Sequence, residues 1–371
     1  MKWTVLSDNR TCDNQLQTEH GLSVLLETEK HRILLDTGAS DVFICNAEKL
    51  GIDLSTVDYV FISHGHSDHA GGLKHFMEIN DKAQIIVSPD ALKGKFFSKR
   101  RYLHSITTEW PDIPQERLLI IEQGESIDDD IFIIAHIPQI HPMPEGNQHL
   151  FIEKTDGSYV NDDFRHELAL YTDGLLFTGC AHSGLENILA ACPFPVNTVV
   201  GGFHLLDNHE SEDKLSELAY RLTDAYPQTQ FYTSHCTGDA VFATLHQVMG
   251  DKIHAFSCGT TIKLKWPFLR MNKVRITAIR QTVYPDLMAK YENPIEHTCD
   301  VKEGQQWISE NGECPEGMCS AAWYSMREFV ESLAKGEGNF YDGWMKNPMS
   351  AMISCNDGFR PFSFYIEVID D

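Results

Sequence analysis

Four potential metal ligands fall within six consecutive residues, His64-Gly65-His66-Ser67-Asp68-His69. His64 and His66, two apart where a strand ends, can aim both imidazoles at one ion. Asp68 and His69 follow one turn later and can hold a second ion beside the first. Imidazole and carboxylate together suit borderline divalent metals, zinc first, with iron or manganese as alternatives. Two such ions acidify a shared water near neutral pH and polarise the oxygen under attack, so the chemistry expected is metal-assisted hydrolysis. The plain alternative is a polar loop whose histidines make ordinary hydrogen bonds. The ligand density and the Gly71-Gly72 step that follows argue against it.

The flanking residues predict what must position this cluster. Residues Gly21 to Glu27 and Arg32 to Asp36 form a hairpin around the turn Thr28 to His31. A helix is expected from Asp41 to Leu50, stopped by Gly51. Asp58 to Ile62 is a short apolar run of the buried-strand kind, and the cluster leaves directly from it. After Gly71-Gly72 a helix carries Leu73 and Phe76. Further strands are expected over Ala83 to Val87, Arg117 to Ile121, Ile131 to Ala135 and Glu167 to Thr172, with amphipathic helices over Ser211 to Ala225 and Asp239 to Val248. Such mixing predicts a layered α/β sandwich.

A boundary is expected at Lys265-Trp266-Pro267-Phe268-Leu269-Arg270, separating residues 1–265 from a small α+β domain at 271–371. The second part has strands at Val274 to Ala278 and Ser363 to Val368, a helix from Ala321 to Ala334, and four of the ten cysteines.

Composition narrows the function class. Of 371 residues, 42% are hydrophobic and 23% charged, as in an ordinary globular chain. A formal net charge of −24 repels a phosphate backbone, which disfavours nucleic acid as partner. No apolar run approaches the ~20 residues of a membrane span, and Met1 to Asp8 lacks the apolar core of a signal peptide. A cytoplasmic location is expected, with the ten cysteines as reduced thiols or ligands.

The cluster resembles the signature of the metallo-β-lactamase superfamily, and the resemblance extends over residues 1–265. It implies an αββα sandwich and makes Asp36, in Leu34-Leu35-Asp36-Thr37-Gly38, an outer group that orients ligands. Asp8-Asn9, Glu19-His20-Gly21-Leu22-Ser23, Phe177-Thr178-Gly179-Cys180-Ala181-His182-Ser183-Gly184, Gly201-Gly202-Phe203-His204-Leu205 and His235-Cys236-Thr237-Gly238 occur in that order. Together they look like the branch containing dihydropterin–ribofuranosylaminobenzene phosphate synthase. On this resemblance His182 joins His64 and His66 at the first ion, and His235 joins Asp68 and His69 at the second. Both histidines follow strand-like runs, Leu175 to Thr178 and Gln230 to Thr233. His166 is the main competitor of His182, and His141 a weaker one. Cys180 stands where the superfamily's metal-bridging aspartate is usual, either as a thiolate ligand or as an inert buried cysteine. Asp68 is expected to accept a proton from the nucleophile. His204 is expected to face the substrate as hydrogen-bond donor or general acid, with a structural histidine as the alternative.

The densest basic stretch, Lys93 to Tyr102, fits a small anionic substrate if it overhangs the site, and a solvated surface otherwise. The short interval between His182 and His235 leaves no room for the extra domain of RNA-cleaving relatives. Residues 271–371 resemble a small family of domains that often stand alone and have no assigned activity. The resemblance rests on Cys314-Pro315-Glu316-Gly317-Met318-Cys319, the aromatic run at Trp323 and Cys355-Asn356-Asp357-Gly358-Phe359-Arg360-Pro361. Cys299, Cys314, Cys319 and Cys355 could converge on a metal, but they lack paired Cys-x-x-Cys spacing, and buried free thiols are the leading expectation. The leading expectation is a dinuclear metal hydrolase acting on a small metabolite. A synthase or transferase step in pterin metabolism, and a non-catalytic metal or redox scaffold, are the competing readings.

Overall fold

A computed structural model of the chain describes residues 1–206, 210–264, 272–295 and 298–369. It divides into two compact units, Met1–Leu264 and Lys265–Asp371. The Lys265 to Arg270 boundary segment expected from the sequence lies outside the described residues.

The first unit is built on two seven-stranded sheets. In one, Ser23–Glu27 pairs antiparallel with Arg32–Leu35, and the Thr28 hydroxyl closes the turn by accepting the backbone N–H groups of Lys30 and His31. Tyr59–Phe61 and Gln84–Val87 then enter parallel, with Leu35 opposite Phe61 and Phe61 opposite Ile86. In the other, Leu175–Phe177, Thr198–Gly201 and Gln230–Thr233 run parallel, Phe177 level with Val200 and Val200 with Tyr232. Strand alternation sends side chains to two faces. Leu35, Phe61, Phe177 and Val200 meet in one core between the sheets. Leu34, Val60 and Ile85 face outward to Phe43 and Phe76 on the helices Val42–Lys49 and Leu73–Ile79. Leu176, Val199 and Phe231 face helices Leu185–Ala191, Glu212–Ala225 and Asp239–Met249. The result is the expected αββα sandwich.

Small departures from expectation have local causes. The Arg117 to Ile121 strand is shortened to Leu118–Ile120, because a 3-10 turn at Gln115–Arg117 precedes it. The basic stretch Lys93 to Tyr102 is not a loop or a helix face throughout. Its Phe96–Lys99 portion joins a four-stranded antiparallel sheet with Leu103–Ser105, Leu150–Glu153 and Tyr159–Asn161. No helix among the described residues is long and apolar enough to cross a membrane.

The second unit is a four-stranded antiparallel sheet in the order Gln306–Ser309, Lys273–Gln281, Phe362–Ile369, Ser350–Ser354. Val274, Ile276, Phe364 and Ile366 pack against Met326, Val330 and Leu333 of the helix Ser320–Ala334. The expectation of four buried thiols fails here. Cys299 and Cys314 are exposed and Cys319 and Cys355 half-buried, because they lie on loops and at element ends that the small core does not cover.

Phe61 and Phe177 hold the two sheets of the first unit together edge-to-face, with ring centroids 6.1 Å apart. Both are fully buried, so Phe61→Ala should lower stability by about 3–5 kcal/mol through lost transfer energy and a residual cavity. Tyr220→Ala, on an exposed helix position, should stay within about 0.5 kcal/mol. Denaturant unfolding of the full chain checks both.

Candidate metal centre

In both sheets the site residues follow the carboxyl ends of parallel strands, where an open α/β sheet presents its loops to ligands. Asp36 follows Arg32–Leu35, and His64 and His66 follow Tyr59–Phe61. His182, His204 and His235 follow Leu175–Phe177, Thr198–Gly201 and Gln230–Thr233. Several of these turns need left-handed backbone, with φ of 56° at Asp36, 54° at Ala181, 46° at His204 and 50° at His235.

One group forms around His64, His66 and His182. All three are buried, and one nitrogen of each lies within 4.8 Å of the others. Their Nε2 atoms have no hydrogen-bond partner. On His64 and His182 the opposite nitrogen is engaged: His64 Nδ1–H donates to Ser63 Oγ at 2.8 Å, and His182 Nδ1–H donates to Asn147 Oδ1 at 3.2 Å. Burial pushes the His64 and His182 imidazolium forms well below the usual histidine range, and the neighbouring imidazoles add to that. His66 is pushed down to about 3 mainly by burial. Three neutral imidazoles thus bring unpartnered Nε2 atoms together, an arrangement that fits a cation.

A second group brings together Asp68, His69 and His235. His69 Nε2 lies 3.2 Å from His235 Nε2, and Asp68 Oδ2 lies 3.3 Å from His235 Nε2 and 3.7 Å from His69 Nε2. Burial alone would raise the Asp68 carboxyl, but His69, His235 and His20 outweigh it and hold Asp68 well below the usual carboxylate range. Burial likewise opposes a charge on His235, yet Asp68, Cys236 and Asp8 lift it to about 9. The exposed His20 borders this group, its Nε2 3.4 Å from Asp68 Oδ2 and its ring stacked on His235.

Asp36 connects the two groups. It accepts Ser63 N–H at 2.7 Å, Ser63 Oγ–H at 2.7 Å and His69 Nδ1–H at 2.6 Å. Because Ser63 Oγ also receives the His64 Nδ1–H, one carboxylate orients a histidine in each group. Gly179 permits this: its φ is +58°, and a Cβ there would sit 2.3 Å from Ser63 Oγ. On the far side Asn9 Oδ1 accepts His235 Nδ1–H at 3.0 Å, and Asp8 Oδ1 accepts the His235 backbone N–H. Glu167, raised by burial despite the backbone N–H groups of His182 and Ser183 that it accepts, anchors the His182 turn.

His166 takes a different role from the one that made it a rival of His182. Its Nε2–H donates to Asp162 Oδ2 at 3.1 Å and its Nδ1 accepts the Gly65 N–H at 3.2 Å, so both nitrogens are committed. His141 is held through its backbone N–H, which donates to Asn187 Oδ1. His204 lies beside His182, ring centroids 4.1 Å apart, with its Nδ1 unpartnered. Cys180 reaches His69 Nε2 at 3.1 Å and Cys236 Sγ at 3.2 Å. Burial and the neighbouring Cys236 hold the Cys180 thiol well above its usual range. For Cys236 burial works in the same direction, but Cys180, His204 and His235 reverse it and favour the thiolate. The basic stretch reaches the site through an apolar residue, Phe96, whose ring lies 5.4 Å from that of His66, while Lys95 pairs with Glu153.

Sequence reasoning did not single out Ser63, Asn147, Asp162, Glu167 or His20, nor Cys236 as a member of the site. His20 and Cys236 stood inside quoted motifs, which was the available signal. The others make contacts that spacing alone does not reveal.

A family model described as the metallo-beta-lactamase superfamily matches residues 17–146. An uncharacterized protein of Methanocaldococcus jannaschii is 31% identical over 252 residues, covering 66% of this chain and 93% of that protein. The 7,8-dihydropterin-6-methyl-4-(beta-D-ribofuranosyl)-aminobenzene-5'-phosphate synthase of the same organism is 29% identical over 258 residues, 64% of this chain and 87% of that one. A solved structure described as a metal-dependent hydrolase of the beta-lactamase superfamily superposes with a TM-score of 0.60 at 29% identity, over 71% of this chain and 99% of that chain.

Asp36→Asn should weaken metal binding by about 10–100-fold, the usual effect of removing a partner that orients ligands. Competition against a chromophoric chelator reads this directly. In the same assay His182→Gln should lose bound metal while His166→Gln retains the wild-type stoichiometry; the opposite order would exchange the two assignments.

Proposed function

We propose, from the premise that this chain belongs to the metallo-β-lactamase superfamily, that it is a dinuclear metal-dependent hydrolase of a small anionic metabolite. The observation that carries the reading is the convergence of buried, unpartnered Nε2 atoms from His64, His66 and His182 beside the Asp68–His69–His235 group. His64, His66 and His182 would hold one divalent ion, and Asp68, His69 and His235 the other. Zinc suits this donor set best, and iron or manganese is the alternative. Bound there, the ions would supply an activated water and a Lewis acid at neutral pH.

The chain's own residues do the rest. Asp68 Oδ2 is placed to take a proton on the side facing His20, whose exposed ring gives that proton a way to solvent. His204, with Nδ1 unpartnered next to His182, donates a hydrogen bond or a proton to the substrate or leaving group. A cavity of about 260 Å³ is lined by Pro142, Met143, Phe203, Leu205, Lys214 and Arg221 among others. Phe203 and Leu205 flank His204 in the chain, so the turn that carries His204 also contributes to this cavity. Lys214 and Arg221 face Glu145 and Glu186 there, and an anionic substrate would compete for them. The net charge of −24 supports the exclusion of nucleic acid as substrate, and the chain is read as cytoplasmic.

A synthase step on a pterin precursor is the second reading, favoured by the 29% identity to an enzyme of that name. Oxygen isotope labelling separates the two. Metal-loaded wild-type chain, offered phosphodiester and carboxylic ester panels in ¹⁸O-water, should release product carrying one labelled oxygen. His66→Ala should lower that rate by more than the roughly 10–100-fold typical of an outer-group loss. Consumption of a dihydropterin precursor with no label in the product would instead select the synthase. A native chain purified without metal would overturn both.

A further inference from the structure

We propose, resting on that metal-centre reading, that Cys180 and Cys236 bind the metals as a thiolate pair, Cys180 between the two histidine groups and Cys236 beside His235. The Cys180 sulfur shares a 4.8 Å envelope with ligand atoms of His64 and His69, with those of His235 and Cys236, and with those of His182 and His204. It therefore stands between the two groups and not behind either. Its neighbours are ring nitrogens, His69 Nε2 at 3.1 Å, and a second sulfur, Cys236 Sγ at 3.2 Å. An inert packing cysteine would face apolar side chains instead. The sulfurs are well outside the ~2.05 Å of a disulfide, and both cysteines are free.

The protein also builds a seat for the second sulfur. The His204 backbone N–H donates to Cys236 Sγ at 3.3 Å. At Gly202 a Cβ would lie 2.3 Å from Cys236 Sγ, so the second glycine of Gly201-Gly202-Phe203-His204 leaves room that the sulfur fills. Leu206 N–H donates to the Cys236 carbonyl, which fixes the turn that carries it. Two thiolates add negative charge and softness to the donor set of imidazoles and one carboxylate. They favour zinc or ferrous iron over magnesium or manganese.

Cobalt substitution tests this without reference to activity. The full chain, stripped of metal and reloaded with cobalt(II) under anaerobic, reducing conditions, should show an intense near-ultraviolet sulfur-to-cobalt charge-transfer band. Cys180→Ser and Cys236→Ser should each remove a large part of that band, and the double variant all of it. Cys258→Ser, whose sulfur accepts the Asp8 N–H, should keep the band in full. Alkylation with peptide mapping gives a readout on the wild-type chain should the variants fail to fold. Cys180 and Cys236 should be protected with metal bound and become reactive after chelation. Bound cobalt without a charge-transfer band, protection indifferent to metal, or a Cys180–Cys236 disulfide at unchanged metal content would overturn the thiolate pair while leaving the hydrolase reading standing. Failure to take up any metal would overturn both.

Discussion

A neutral imidazole has one N–H, and where that hydrogen goes decides what the other nitrogen can do. In four histidines of this protein it goes outward. His64 donates to Ser63, His69 to Asp36, His182 to Asn147 and His235 to Asn9. Four Nε2 atoms are thereby turned inward, all on buried side chains. Lone pairs so arranged repel one another unless a cation or a proton sits among them. The rest of the site follows from that constraint, including the fixing of ring planes by carboxylates and amides on the outside. Asp36 does this for both groups at once, and it is fully buried, so its carboxylate is compensated by three donated hydrogen bonds rather than by solvent.

Holding the rings in place requires backbone that most side chains resist. Left-handed conformations at Asp36, Ala181, His204 and His235 each cost of the order of 1–3 kcal/mol, and they persist because neighbours over-determine them. Asp36 N–H is held by the Phe61 carbonyl at 2.8 Å, and His235 N–H by Asp8 Oδ1 at 3.0 Å. Each strained turn begins where a parallel strand stops. The strands bury Leu35, Phe61, Phe177 and Val200 in one core, and that core makes the strand ends rigid enough to impose the turns. Packing between the sheets and ligand geometry at their edge are therefore one problem, with hydrophobic burial offsetting strain at the site.

Much of this was legible in the sequence. The cluster His64 to His69 is contiguous, and the strands and helices around it carry plain periodicity, so both the sandwich and the two groups of the site could be written down beforehand. What escaped was whatever depends on long-range contact. Spacing cannot say that Asn147, in a 3-10 turn, meets His182, or that Asp162 and Gly65 occupy both nitrogens of His166. The small sheet through Phe96–Lys99 was missed because its strands are short and mostly exposed or half-buried, so no alternation marks them. The tail cysteines were misplaced for the converse reason: cysteine is usually buried, but a four-stranded sheet with only Ser320–Ala334 buried against it has too little interior to cover residues on its loops.

A proton can relieve the same repulsion. His235 is lifted to about 9, so near neutral pH its Nε2–H lies between Asp68 and His69, where a cation would otherwise sit. The sign of the linkage follows. A histidine whose folded value lies above its unfolded one stabilises the fold in full below about 6.5. That contribution fades as pH rises through 9. Metal must displace this proton, since imidazole binds as the neutral ligand; uptake therefore releases protons and weakens in acid. The carboxylate that holds His235 charged, Asp68 at 3.3 Å from its Nε2, is also the one proposed as a ligand, so proton and metal would compete for the same place.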